Sequence, residues 1–146
     1  MRRIKMLLLI AIAGFAGVCG SSPVYGTEEM MTVLSKIGTE KGICVVLGDA
    51  KCELALKIAA RHGGACRSRA GGELLIYVQL PRPEDVETAR KLIDDAGFYG
   101  TRIFIETGPL EHLHLADNLA DALIAVGPAA VVSQTEVLRV LRPEGK

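Results

Sequence analysis

Three places in this sequence carry residues whose types and spacing could do chemistry. The first is Gly48-Asp49-Ala50-Lys51-Cys52, which joins an apolar run to a helical pattern. Gly48 allows a tight turn, and a helix from Lys51 would present free backbone N–H groups to a ligand. Close approach of the backbone to a ligand favours further glycines, but Ala50 and Cys52 stand there instead. The second is His112 and His114, two apart and so on one face of an extended segment. A metal would need a third ligand, for which Glu111 or Asp117 is available. With no third His or Cys nearby, a pair of loop residues beside a pocket is the simpler reading. The third is Asp117-Asn118, which fits a ligand contact and a turn before the next strand equally well.

Cysteine chemistry is weakly indicated. Cys19 falls in an apolar leader, leaving Cys44, Cys52 and Cys66. Three thiols without CxxC spacing point to neither a zinc site nor a disulfide framework. Cys44 lies in an apolar strand and reads as a small core residue. A Cys52–Cys66 bridge stays open for an oxidising compartment.

These residues need elements to position them. Arg2-Arg3-Ile4-Lys5 precedes an apolar stretch of 13 residues from Met6 to Val18. That is the length of a signal-peptide core and short of the roughly 20 residues that span a bilayer. Cleavage fits after Gly20 or after Gly26. The expectation is export to the periplasm or beyond, with an uncleaved N-terminal anchor as the alternative and no other membrane contact. Thr27-Glu28-Glu29 then opens a helix carrying Met30, Met31, Val33, Leu34 and Ile37.

From Gly42 the pattern alternates. Gly42 to Leu47 reads as a strand buried on both faces, and Lys51 to His62 as a helix. Leu74 to Val78 is a second strand, and Pro83 to Ala96 a helix with Val86, Ala89 and Ile93 turned inward. Arg102 to Ile105 and Asp121 to Val126 are the third and fourth strands. Ser133-Gln134-Thr135-Glu136 is a capping-box signature for a last helix. Strands alternating with helices at this pitch predict βαβ units. The expected fold is an α/β, Rossmann-like parallel sheet with flanking helices, incomplete at about four strands. The expected division is a leader over 1–26, a helical segment over 27–41 and a partial Rossmann domain over 42–146.

In such a sheet, ligands bind at the carboxyl ends of the strands. This places Gly48, Asp49 and Ala50 after strand 1 beside Gln79 and Leu80 at the end of strand 2 and Gly108 after strand 3. Charge argues against one class of partner. The chain balances 17 Lys and Arg against 17 Asp and Glu. Without the leader, 14 basic residues face 17 acidic ones, and no basic cluster appears, so nucleic acid is not expected.

Residues Gly42 to Gly145, about 104 of 146, resemble the class I S-adenosylmethionine-dependent methyltransferases. The nearest variety precedes pyrroloquinoline-quinone-type β-propeller repeats in exported bacterial proteins. The resemblance rests on Val45-Val46-Leu47-Gly48, Leu54-Ala55, Pro83, Val86, Ala89-Arg90, Gly97 and Tyr99-Gly100. It continues through Gly108, Leu113, Ala116-Asp117-Asn118-Leu119 and Asp121 to Glu136-Val137-Leu138-Arg139-Val140-Leu141-Arg142-Pro143. It implies a cofactor site for S-adenosylmethionine at Gly48, Asp49, Ala50, Gln79, Leu80, Gly108, Asp117 and Asn118.

Departures fall on that site. The family's first loop resembles Gly-x-Gly-x-Gly, of which Gly48 remains. The acid that normally ends strand 2 and holds the ribose is replaced by Gln79 and Leu80, and the Gly-Asp after strand 3 by Gly108-Pro109. Beyond Pro143 the usual Gly-Gly is Glu144-Gly145. Each lost charge-assisted bond costs about 1.5–3 kcal/mol, so three together would erase micromolar binding. The resemblance therefore implies a methyltransferase-like domain with degraded cofactor binding. No residue stands out as a general base, and whether the chain is an enzyme stays open. The alternative is a non-catalytic structural or interaction module of an exported protein. A protein partner, a β-propeller or a missing C-terminal part would complete it. Export favours that alternative, since S-adenosylmethionine is made in the cytoplasm. A nucleotide-binding oxidoreductase fits poorly, because its glycine fingerprint is equally absent.

Overall fold

The computed structural model describes residues 41–62, 74–126 and 132–145. The leader, the helix expected from Thr27, and Cys66 lie outside the described residues. In chain order the elements are β1 (Gly42–Leu47), α1 (Glu53–His62), β2 (Leu74–Leu80) and α2 (Pro83–Asp95). They continue with β3 (Ile103–Thr107), β4 (Ala122–Ala125) and α3 (Gln134–Val140). The four strands form one parallel sheet in the order β3-β2-β1-β4. The expected Rossmann-like architecture is the one observed. The strand order reverses at β1, which makes the carboxyl end of β1 the place where such sheets take ligands.

The sheet is covered on both faces because β1 is apolar on both. Cys44 and Val46 join Ile58 of α1 and Val86, Ala89 and Ile93 of α2 in one core cluster. Val45 and Leu47 face the other way, toward Leu113, Ala120 and Val140. Burying each Val, Leu or Ile stabilises the fold by roughly 1.5–3 kcal/mol before entropy is counted. Truncating Ile58, fully buried on α1, to Ala would cost about 2–5 kcal/mol through lost burial and an unfilled cavity.

Local chemistry sets the helix ends. Pro83 starts α2 where its missing N–H is not needed, and Glu84 and Asp85 favour the positive end of the helix dipole. The helix stops at Gly97, whose φ of +75° lets its N–H reach Asp94 O while Phe98 N bonds Ile93 O. Strand β2 runs two residues beyond the expected end at Val78, so Gln79 and Leu80 are ladder residues paired with Glu106 and Thr107. The outer edge of β3 is blunted. Ile103 N donates to Phe98 O, Gly100 N donates to Ile103 O, and the Arg90 guanidinium donates to Ile105 O at 3.2 Å.

Candidate functional site

Parallel register brings most of the candidate residues to one edge. Leu47 lies beside Gln79, Gln79 beside Glu106, and Leu80 beside Thr107. The loop after β1, the end of β2 and Gly108 therefore follow one another along the carboxyl edge of the sheet.

The Gly48–Cys52 loop keeps a glycine-type backbone without glycine's composition. Gly48 has φ +77° and Cys52 φ +52°, so a thiol-bearing residue occupies the left-handed region at a steric cost of about 1–2 kcal/mol. Its side chain is fully buried in the α1 cluster, which offsets that cost. Cys52 O accepts from Leu56 N, which makes Cys52 the residue that caps α1. The orphan N–H groups of α1 go to Asp49. Its Oδ2 accepts from Leu54 N at 3.0 Å and Ala55 N at 3.1 Å. Burial pushes the Asp49 carboxyl up, and the backbone N–H groups of Ala55, Leu54 and Glu53 pull it back. The helix N-terminus, where an external anion would dock, already holds an anion of the chain's own.

Gln79 is buried completely, a rare position for an amide without partners. Its Nε2 donates to Pro109 O at 2.6 Å and His112 O at 3.2 Å. Its Oε1 accepts from His114 N at 3.1 Å and faces the Tyr77 hydroxyl at 3.3 Å. Both amide protons are thus taken and His114 N–H holds the oxygen, while the one Tyr77 proton is shared with Glu106 Oε2 at 3.0 Å, so Gln79 has no donor left for a ribose. Its role is to staple the loop after β3 onto β2. Gly108 belongs to the same joint, since a Cβ there would press on Gln79 Nε2 at 2.7 Å and on His114. Leu80 points the other way, into the α2 side of the core.

The remaining candidates separate. The segment from Gly108 to Asp121 leaves the carboxyl edge and returns to the start of β4, where Asp121 N donates to Ile43 O. Asp117 and Asn118 thus sit near the amino edge, and the structure does not bring them to Gly48, Gln79 and Gly108. Parallel pairing requires this, because β4 must begin at the same edge as β1. Asn118 takes a left-handed turn with φ +55°, and Asp117 pairs with Arg139 at 2.6 Å. His112 and His114 also part, His112 to Glu136 at 3.2 Å and His114 to Glu106 at 3.9 Å. Among the described residues, no three His, Cys, Asp or Glu side chains group as metal ligands.

Sequence reasoning missed what holds this segment down. The spacing makes Glu136 half of a capping box, and Ser133 does cap α3 by accepting from Glu136 N at 3.2 Å. The Glu136 carboxylate turns elsewhere, to Leu113 N at 2.7 Å and to both Nε and Nη2 of Arg139. Arg139 also donates to Leu113 O, Leu115 O and Asp117. The Glu-x-x-Arg spacing within the Glu136–Pro143 stretch was the available signal.

The thiols and the phenol of this part of the sheet are held protonated. Burial pushes the Cys44 and Cys52 thiols up to about 12, with Asp49 adding to the effect at Cys52. Burial and the neighbouring Glu106 also push the Tyr77 phenol upward, so it stays a donor. Neutral thiols and a protonated phenol are neither nucleophiles nor bases.

No protein-family model matches this sequence, and no curated protein matches it. Solved structures do match its fold. A protein assigned as an S-adenosyl-L-methionine-dependent methyltransferase from Methanococcus maripaludis superposes with a TM-score of 0.64 at 21% identity, covering 78% of this chain and 49% of that one. A methyltransferase from Geobacter sulfurreducens, solved with S-adenosyl-L-homocysteine, gives 0.62 at 20% identity, covering 82% and 46%. The cyclase SpnF gives 0.55 at 18%, covering 76% and 40%. The chain has the class I methyltransferase-like fold. It spans about half the length of these structures or less, and at such identities the fold alone is shown. A cyclase among the neighbours underlines that the fold does not dictate the reaction.

Proposed function

We propose that this chain is an S-adenosylmethionine-dependent methyltransferase-like domain in which cofactor binding is degraded. On this reading it serves as a non-catalytic structural or interaction module. One observation carries the reading: the polar groups of the carboxyl edge are bonded to one another. Asp49 fills the α1 N-terminus, and the Gln79 amide is held by Pro109, His112 and His114, with both of its protons taken. A cofactor entering there would break bonds that the fold uses to hold its own loops, at roughly 1 kcal/mol each. The basic, apolar leader supports an exported location for the module, with a protein partner completing it.

Isothermal titration calorimetry of the chain with S-adenosylmethionine tests the proposal. No heat of binding at millimolar ligand, in a sample that melts cooperatively, is the expected result. Micromolar binding that disappears in Gly48→Val would restore the enzyme reading.

A further inference from the structure

Residues 108–121 carry the chain from β3 to β4 across one face of the sheet, with no helix or strand of their own beyond the bridge at Ala120. Connections of this length without regular structure are uncommon in compact domains and often serve as lids or binding loops. Burial along this one is slight. Over residues 109–117 Leu113 is buried, Leu110 and Leu115 are half-buried, and the other residues are exposed. Stretches with so few buried apolar groups open at a lower free energy than the strands beneath them.

Three side chains of other elements hold this backbone down. From β2, Gln79 takes Pro109 O, His112 O and His114 N. From α3, Glu136 takes Leu113 N, while Arg139 takes Leu113 O and Leu115 O and pairs with Asp117. The two clasps interleave. Residues 112 and 114 are held from β2, and residues 113 and 115 from α3, so neither clasp releases its residues without pulling on those of the other. Backbone-to-backbone bonds mark the limits. Gly108 N donates to Leu80 O at 3.0 Å, and Asn118 N, Leu119 N and Ala120 N donate to Arg139 O and Val140 O.

We propose that residues 109–117 are a lid that opens as one unit while the sheet beneath stays folded. Gly108 is one hinge, and Asn118, in the left-handed region at φ +55°, is the other. Closed, the lid takes both amide protons of Gln79 and lays Leu113 against Val45 and Leu47. Open, it returns those protons and the carboxyl end of β1 to solvent, at the edge where sheets of this topology take ligands. The lid thus governs access to that edge. Its opening is a property of the free chain and does not rest on whether S-adenosylmethionine binds.

Hydrogen exchange read by NMR tests this on the full, unliganded chain, in urea below the unfolding transition. Leu113 N reports on the α3 clasp and His114 N on the β2 clasp; Ile76 N, bonded to Arg102 O at 2.8 Å, reports on the sheet. Leu113 and His114 should exchange together, about a hundredfold faster than Ile76 and with a weaker urea dependence, because opening the lid exposes little surface. Gly108 and Ala120 should keep the slow exchange of the sheet. Arg139→Met should speed His114 about tenfold although the His114 bond goes to Gln79, and Gln79→Met should do the same to Leu113 although its bond goes to Glu136. Exchange of Leu113 and His114 at the rate of Ile76 would overturn the proposal, since the segment would then yield only with the whole fold. So would variants that each free only the amide of their own clasp. The comparison of amides in the unaltered chain stands even if a variant fails to fold, and calorimetry with S-adenosylmethionine reports separately on the cofactor site.

Discussion

The carboxylate of Glu136 accepts the backbone N–H of Leu113 at 2.7 Å, a bond that joins α3 to the segment between β3 and β4. Arg139 closes the joint from the other side by holding the same carboxylate and the carbonyls of Leu113 and Leu115. Leu113 is thereby fixed with its side chain buried against Val45 and Leu47. In place of a helix, a hydrogen-bonded strap covers this face of the sheet beside α3.

That joint makes stability depend on acid pH. The Arg139 hydrogen bond, with help from Leu113 N, holds the Glu136 carboxyl down at about 2 despite its burial. A carboxyl depressed on folding contributes stability that is full above its unfolded value, near 4.5, and is lost as pH falls toward 2. Thermal melts from pH 7 to pH 2.5 should show the midpoint dropping below pH 4.5. Glu136→Gln should flatten that drop. Glu136→Ala strands the Leu113 N–H and should cost roughly 1–3 kcal/mol at pH 7 in urea titrations.

Asp49 offers a contrasting test at the carboxyl edge of the sheet. Its Oδ2 supplies the acceptor for Leu54 N and Ala55 N, and burial disfavours its charge. Asp49→Asn keeps an acceptor and removes a partly buried charge, so it should change unfolding free energy little. Asp49→Ala removes the cap and should cost about 0.5–2 kcal/mol. Equal losses in the two variants, read by urea titration, would show that the charge and not the cap matters.

The fold was legible in the sequence because its signals are local and repeated. Apolar runs at Gly42–Leu47 and Leu74–Val78, Pro83 at a helix start and Gly97 at its end each fix an element without reference to distant residues. The carboxyl-edge location of Gly48, Gln79 and Gly108 followed from the parallel topology. What could not be read were side-chain choices made across the fold. Nothing local to Gln79 says that its amide is taken by residues 30 to 35 positions away. Nothing local to Asp117 says that its partner is Arg139 and its place the opposite end of the sheet. Cys52 is intermediate: the sequence places it in the loop, but a cysteine gives no sign of a left-handed backbone.

The buried thiols give a chemical check of the packing. Cys44 and Cys52 are both free and fully buried, and burial holds them protonated up to about 12. In the Cys19→Ser, Cys66→Ser background, a maleimide at pH 8 should leave both unmodified in the native protein. Both should react once urea unfolds it. Rapid native labelling at Cys52 would mean that the loop opens and that its side chain does not hold α1 in place.

Two glycines of positive φ should respond differently to the same substitution. Gly42 has φ +114° and a Cβ there would run into the carboxylate of Asp121. That carboxylate accepts Ile43 N at 2.9 Å and pairs with Arg142, which together hold it below the usual range against the effect of burial. Gly42→Ala therefore combines backbone strain with displacement of Asp121 and loss of its bond to β1. Gly97 also has positive φ, +75°, but nothing lies within 4 Å of its added Cβ. Gly97→Ala should cost only the left-handed term of about 1–2 kcal/mol. Gly42→Ala should exceed it by at least the lost hydrogen bond, roughly 1 kcal/mol, in paired chemical-denaturation curves. Equal costs would mean that Asp121 moves aside freely and does not anchor β1 to the start of β4.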